Sequence, residues 1–174
     1  MKLILLRHGE TDWNLEKRIQ GTQNVALNEL GKKQIEEIRE HFFNDYEKTI
    51  HRMIASPLRR TVESALICNQ RLNLPLEFRE EFQERSFGIL EGQTVEEIRQ
   101  SYQIEDVEEV KDARHGIESM DSLSLRLEKG LRNLRETYPQ DRILLITHGS
   151  IIKEIARHYG KKIGIVKNGT YLEL

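Results

Sequence analysis

The sequence predicts an α/β layered domain built on a mostly parallel sheet. Three observations carry that expectation. Two short apolar runs, Lys2–Leu6 and Arg142–Ile146, have the continuous hydrophobicity of strands buried on both faces. Segments with apolar residues at helical spacing alternate with the strand candidates. The 174 residues contain only three prolines and no Gly/Ser-rich tract, repeat or linker, so one domain over 1–174 is expected.

Taken in order, the first strand is Lys2–Leu6. Asn28 is placed to cap a helix striped by Leu30, Ile35, Ile38 and Phe42. A strand over Arg52–Ala55 follows. Ser56-Pro57 then reads as an N-cap and first-turn proline for a helix burying Leu58, Val62, Ala65 and Leu66. Leu76–Arg79 is the next strand candidate. Thr94 and Glu97 have capping-box spacing ahead of Ile98. The acidic stretch Glu105 to Lys111 reads as a solvated helical face or turn. Leu123, Leu127, Leu131 and Leu134 stripe a further helix, and the strand Arg142–Ile146 comes next. Ile151, Ile152, Ile155 and Tyr159 stripe the last helix, stopped by Gly160. Thr170–Leu174 is a terminal strand candidate.

Composition narrows the function classes. There are 27 Lys+Arg against 29 Asp+Glu, a net charge of −2. This balance argues against a nucleic-acid or acidic-membrane binder, whose affinity comes from excess positive charge. The one cysteine, Cys68, has no partner for an internal disulfide, and its apolar neighbours Ala65, Leu66 and Ile67 mark it as a core residue. The apolar run at the N-terminus, Leu3 to Leu6, falls short of the roughly 7–15 residues of a signal peptide, and no window reaches the roughly 18 of a membrane span. A soluble, cytoplasmic protein with a small-molecule partner is expected.

The most informative feature is a matched pair of segments, LILLRHG at 3–9 and ILLITHG at 143–149. Each is four apolar residues, one polar residue, then His-Gly. Ligands of open α/β sheets bind beyond the carboxyl ends of the strands, so His8 and His148 should meet at one site. A zinc site is one use for two histidines, but no third ligand stands at HExxH, CxxC or HxH spacing. Attack on phosphorus by a neutral imidazole is the other. That chemistry wants guanidinium groups, which grip phosphate oxygens through planar forks. Arg7 precedes the first histidine; Arg59 and Arg60 open the SPLRRT helix, where helix-terminal N–H groups also favour an anion. Neighbouring helical residues point about 100° apart, so one of these two arginines faces the phosphate; geometry alone does not say which.

The segment Arg7-His8-Gly9-Glu10-Thr11, extended to Trp13-Asn14, resembles the signature of the histidine phosphatase superfamily, the cofactor-dependent phosphoglycerate mutase-like proteins. The resemblance continues in order through Arg18, Gln20-Gly21, LNELG (27–31), SPLRRT (56–61), ERSFGILEG (84–92), GIES (116–119) and THG (147–149). It implies a three-layer α/β/α fold with helices on both faces of the sheet, and a metal-free, cofactor-free site. Position by position, His8 resembles the nucleophile that becomes phosphohistidine, and Glu84 the proton donor. Arg7, Arg60 and His148 resemble the phosphate pocket, Arg60 being selected over Arg59 by the family spacing S-x-x-x-R. Asn14, Gln20, Gly21 and Gly149 resemble phosphate and substrate contacts. Arg85 reads equally as a substrate contact or a solvated arginine, and Trp13 as packing. His41, His51, His115 and His158 lack the strand-end setting.

The implied activity is hydrolysis of small phosphomonoesters. Two alternatives stand beside it: a phosphoglycerate mutase, and an inactive phospho-ligand-binding module. Against the mutase, family mutases carry E-R-H-Y-G and a long basic insertion, whereas Glu84 is followed by Arg85-Ser86-Phe87-Gly88 and a net acidic Glu105–Asp112 stretch. Against the inactive module stands the intact set His8, Arg7, Arg60, Glu84 and His148. The substrate should be selected by the lid region, 93–122. Family members include monomers and homodimers, and both states are open here.

Overall fold

The sheet is set by where the apolar runs pair. In the computed structural model, which describes residues 1–46 and 49–174, five strands lie in the order β3-β2-β4-β1-β5. They are β1 (Lys2–Arg7), β2 (Arg52–Ala55), β3 (Leu76–Phe78), β4 (Arg142–Thr147) and β5 (Tyr171–Glu173). The first four run parallel, and β5 adds an antiparallel edge beside β1. The two matched runs are the central neighbours β1 and β4, in register from Lys2↔Arg142 to Arg7↔Thr147.

Alternate side chains of those strands feed two cores. Leu3, Leu5, Ile143 and Leu145 pack against α5 (Met120–Thr137) and α6 (Gly149–His158) through Leu123, Leu127, Leu131, Ile151, Ile152 and Ile155. Ile4, Leu6, Leu144 and Ile146 pack on the opposite side against Ile35 and Phe42 of α2 (Glu29–Tyr46) and Ala65, Cys68 and Leu72 of α3 (Arg59–Leu72). Helices therefore cover both faces, which is why these strands are apolar at every position rather than alternately. Truncating one of these fully buried leucines to alanine costs about 2–5 kcal/mol. Cys68 lies in the second core, where burial pushes its thiol up to about 12.

Two helical stripes differ from expectation. Asn28 does cap α2, its side chain accepting from Gly31 N at 2.8 Å, yet Leu30 is 52% exposed. The first turn of α2 presses Gly31 onto the chain after β1, where a Cβ would meet the Glu10 carbonyl oxygen at 2.1 Å. The residue facing inward is thus Gly31, and Leu30 is turned away from it. In α3 the cap is Leu58, with extended backbone and no side-chain bond, so the helix opens at Arg59 and Ser56-Pro57 does not start it. Leu66 is 53% exposed, and the inward stripe is Thr61, Ser64, Ala65, Cys68 and Leu72. Polar residues occupy that face because it borders the site described below, so a search for apolar spacing finds the wrong side of the helix.

A third cluster stands apart from the sheet. After β3, residues 84–118 form a flap that contains the short helix α4 (Val95–Tyr102) and bridges through Thr94 to Arg18, just beyond the short helix α1 (Asp12–Leu15). Phe87, Leu90, Ile98, Ile104, Val107, Val110 and Ile117 form the flap's own core. Thr94 and Glu97 make the expected capping box. Within Glu105–Lys111 the acidic side chains are exposed as expected, but Val107 and Val110 turn inward around a single 3₁₀ turn.

Candidate active site

The parallel pairing of β1 and β4 brings their carboxyl ends level, and His8 N donates to Thr147 O at 3.1 Å. Residues His8 and His148, 140 positions apart, consequently place their ring centroids 5.2 Å apart. Both are buried. His8 Nδ1 lies 2.7 Å from the Gly9 carbonyl oxygen. A carbonyl only accepts, so Nδ1 carries the proton and Nε2 keeps the lone pair. His148 caps α6 from an extended conformation, and its Nε2 lies 2.8 Å from Ser56 Oγ. Both imidazoles are held well below the ordinary histidine range, first by burial and then by the charge of Arg60, with Arg7 adding to it.

The two arginines of SPLRRT part company. Arg60 is 1% exposed; its Nη1 donates to Gln23 O at 2.8 Å and its Nη2 to Gly21 O at 2.7 Å. Arg59 is exposed and pairs with Glu63 at 2.8 Å one helical turn on. Arg7 reaches across from the end of β1 and donates through Nη1 to Val166 O. Burial lowers both inner guanidinium groups, Arg60 to about 10, which leaves them cationic at neutral pH. Gly21 has φ +49°, a left-handed turn that suits glycine, and any Cβ there would strike the Glu91 carboxylate. That carboxylate accepts from Thr22 N at 2.9 Å, Gln23 Nε2 at 2.8 Å and Phe87 N at 3.0 Å, tying the 20–23 turn to the flap.

Arg7, His8, Asn14, Gln20, Arg60 and Glu84 converge on a cavity of about 150 Å³. Gly149 borders a neighbouring cavity of about 340 Å³ that shares Arg7 and Glu84 with the first. Glu84 accepts from Arg85 N at 2.9 Å. Burial raises its carboxyl above the usual range despite that bond and the nearby Arg60 and Arg7. Among the described residues, four buried side-chain polar atoms lack a partner: Arg7 Nε, Gln20 Oε1, Arg60 Nε and His148 Nδ1. All four belong to the predicted site. Also among the described residues, no group of three or more His, Cys, Asp or Glu is arranged to hold a metal ion. No helix among them is long and apolar enough to cross a membrane.

Arg85 is neither solvated nor turned to this cavity. It is buried, and its guanidinium donates to the carbonyls of Glu118 at 2.8 Å, Glu108 at 3.4 Å and Val110, bracing the flap from within. Trp13 packs over Gly92, as a packing residue should. His41, His51, His115 and His158 find partners elsewhere. Sequence reasoning missed Asn168. From the turn before β5, its Nδ2 lies 3.1 Å from His8 O, 3.3 Å from Gly9 O and 3.2 Å from Asn14 Oδ1. Its only sequence signal is an Asn-Gly pair, which reads as an ordinary turn.

The profile of the histidine phosphatase superfamily (branch 1) matches residues 3–165. The uncharacterized phosphatase PhoE of Bacillus subtilis is 34% identical over 150 residues, 86% of this chain and 72% of its own length. Phosphoglycerate mutase-like protein 4 of Arabidopsis thaliana is 30% identical over 176 residues, 96% of this chain and 76% of its own. Among solved structures, a mycobacterial glucosyl-3-phosphoglycerate phosphatase complexed with VO3 superposes with a TM-score of 0.87 at 24% identity, covering 99% of this chain and 91% of that one.

Proposed function

The chain belongs to the histidine phosphatase superfamily and is a phosphatase, and from that premise we propose that it hydrolyses small phosphorylated metabolites through a phosphohistidine on His8. One observation carries the reading. Arg7 and Arg60 line the same cavity as His8, and the His148 ring lies edge-on to His8. Each of the three has a buried nitrogen without a partner (Nε, Nε and Nδ1), while His8 Nε2 holds a free lone pair. Unpaired buried donors are costly, and a phosphoryl oxygen supplies the acceptors they lack.

In the first step His8 Nε2 attacks phosphorus in line, forming the N–P bond as the ester P–O bond breaks. Arg7, Arg60 and His148 carry the equatorial oxygens. Glu84, whose carboxyl burial raises above the usual range, gives a proton to the leaving oxygen in its protonated form. In the second step the Glu84 carboxylate takes a proton from water, which attacks phosphorus; the N–P bond breaks and inorganic phosphate leaves. Asn14, Gln20 and Gly21 shape the phosphate side of the cavity, and Gly149 the side toward the neighbouring one.

The charge around the site favours this reading over a mutase. A mutase must hold a second phosphate, yet in the neighbouring cavity the added cation, Lys153, is paired with Glu108, Asp106 adds a further negative charge, and Arg85 is occupied by flap carbonyls. The test is mass spectrometry after rapid mixing with substrate. The phosphoryl group should sit on His8, and His8→Ala should give neither phosphoenzyme nor turnover. Phosphorylation of His148 instead would reverse the assigned roles.

A further inference from the structure

The two histidines are held by different ring nitrogens, and the holder of the second is a residue with no assigned part. β2 ends at Ala55 beside the end of β4, where Ser56 N donates to Ile146 O at 3.1 Å. This pairing delivers the Ser56 hydroxyl to His148, with Oγ 2.8 Å from Nε2, although 92 residues separate them. Both side chains are fully buried.

The hydroxyl has one hydrogen and two lone pairs. It accepts from Leu58 N at 3.4 Å, and its one other partner among the described residues is His148 Nε2. Two arrangements are available. If His148 Nε2–H donates to Ser56, the buried hydroxyl hydrogen has no acceptor. His148 Nδ1, on a ring 5.2 Å from that of His8, is then a bare lone pair, which repels phosphoryl oxygens. If Ser56 O–H donates to Nε2, the hydroxyl is satisfied and Nδ1 carries the proton. The second arrangement leaves one orphan instead of two, and that orphan is a donor.

We propose that Ser56 is a positioning residue that fixes His148 in the Nδ1–H tautomer, presenting a neutral hydrogen-bond donor to the transferring phosphoryl group. The depressed proton affinity of His148 fits, since a neutral ring has a single proton and its location decides between donor and acceptor. His8 carries its proton on the same nitrogen, but there Nδ1–H is spent on the Gly9 carbonyl and Nε2 is left as nucleophile. Two identical side chains thereby acquire opposite roles from a carbonyl and a hydroxyl.

The test has two arms. Nitrogen-15 spectra of histidine-labelled wild type should show His148 protonated at Nδ1 and bare at Nε2, and Ser56→Ala should shift it toward a mixture. A wild-type proton on Nε2, or on both nitrogens, would overturn the proposal. In the kinetic arm Ser56→Ala should lower kcat and kcat/KM together by about 10- to 100-fold, by analogy with the loss of an outer partner that orients a metal-bound histidine. Ser56→Thr, which keeps the hydroxyl, should restore most of the rate. Wild-type turnover in Ser56→Ala, or a folded Ser56→Thr no better than it, would refute the role. The kinetic arm rests on the phosphatase reading; the spectroscopic arm does not, so the two can fail separately.

Discussion

Replacing Arg60 with alanine, beside the same change at Arg59, tests the proposed phosphate pocket with an internal control one residue away. Arg60 is 1% exposed, lines the cavity, donates to two backbone carbonyls and has a buried Nε without a partner. Loss of one preorganised donor to a developing oxyanion is worth about 2.7–4 kcal/mol, roughly 10²–10³-fold in kcat. Arg60→Ala also strips partners from the Gly21 and Gln23 carbonyls, where charged hydrogen bonds contribute about 1.5–3 kcal/mol each. Relief of a buried cation beside Arg7 offsets part of that loss. Arg59, with its side chain 61% exposed, gives up a helical ion pair to Glu63 worth about 0.3–0.5 kcal/mol. Its removal should leave kcat within about twofold, since that energy corresponds to little more than a factor of two. The measurements are kcat and KM on p-nitrophenyl phosphate, inhibition by inorganic phosphate, and thermal melts. Arg60→Lys, which keeps charge but loses the fork, should recover phosphate affinity better than turnover. Equal kinetic losses at positions 59 and 60 would refute the pocket as drawn.

Three further outcomes follow from the same geometry. Glu84→Gln should slow phosphoenzyme formation by about 10²–10⁴-fold for alkyl phosphates and much less for p-nitrophenyl phosphate, because a phenolate leaves with little proton assistance; an equal drop in rapid-quench measurements would make Glu84 merely positional. Folding stability should be full above pH 6.5 and fall as the pH drops below it. His8 and His148 resist protonation when folded and accept it when unfolded, and a melt series flat from pH 7 to 5 would contradict their burial as neutral rings. Turnover should persist in EDTA, and its loss with recovery on adding a divalent ion would sink the metal-independent mechanism.

The fold was legible where one physical rule dominated. Strands buried on two faces must be apolar throughout, so β1 and β4 announced themselves, and their parallel pairing brings the shared His-Gly endings together at the candidate site. Legibility failed where the inward side of a helix faces the site rather than the core. There, Gly31 packs against backbone and Thr61 and Ser64 line the polar side of α3, so the apolar Leu30 and Leu66 pointed to the wrong stripes. Arg85 was undecidable for a different reason. Its partners are backbone carbonyls of Glu108, Val110 and Glu118, and every residue has a carbonyl. Asn168 likewise reaches two main-chain oxygens, which leave no trace in residue identity, beside its one contact to the Asn14 side-chain oxygen.

Ser56 shows how far a local rule can mislead and still mark an important residue. Before a proline and a helix, serine is the expected cap, and its hydroxyl is indeed committed, but to a histidine from the other end of the chain. The commitment follows from the burial of both rings at this charged sheet edge. Burial first, and then the charge of Arg60 and Arg7, holds both histidines neutral. A neutral imidazole is useful as a nucleophile or as a donor only if its single proton sits on the right nitrogen. Burying two histidines beside two arginines therefore creates a second requirement, that each ring have a neighbour able to choose the tautomer. The Gly9 carbonyl meets it for His8 by accepting, and the Ser56 hydroxyl meets it for His148 by donating.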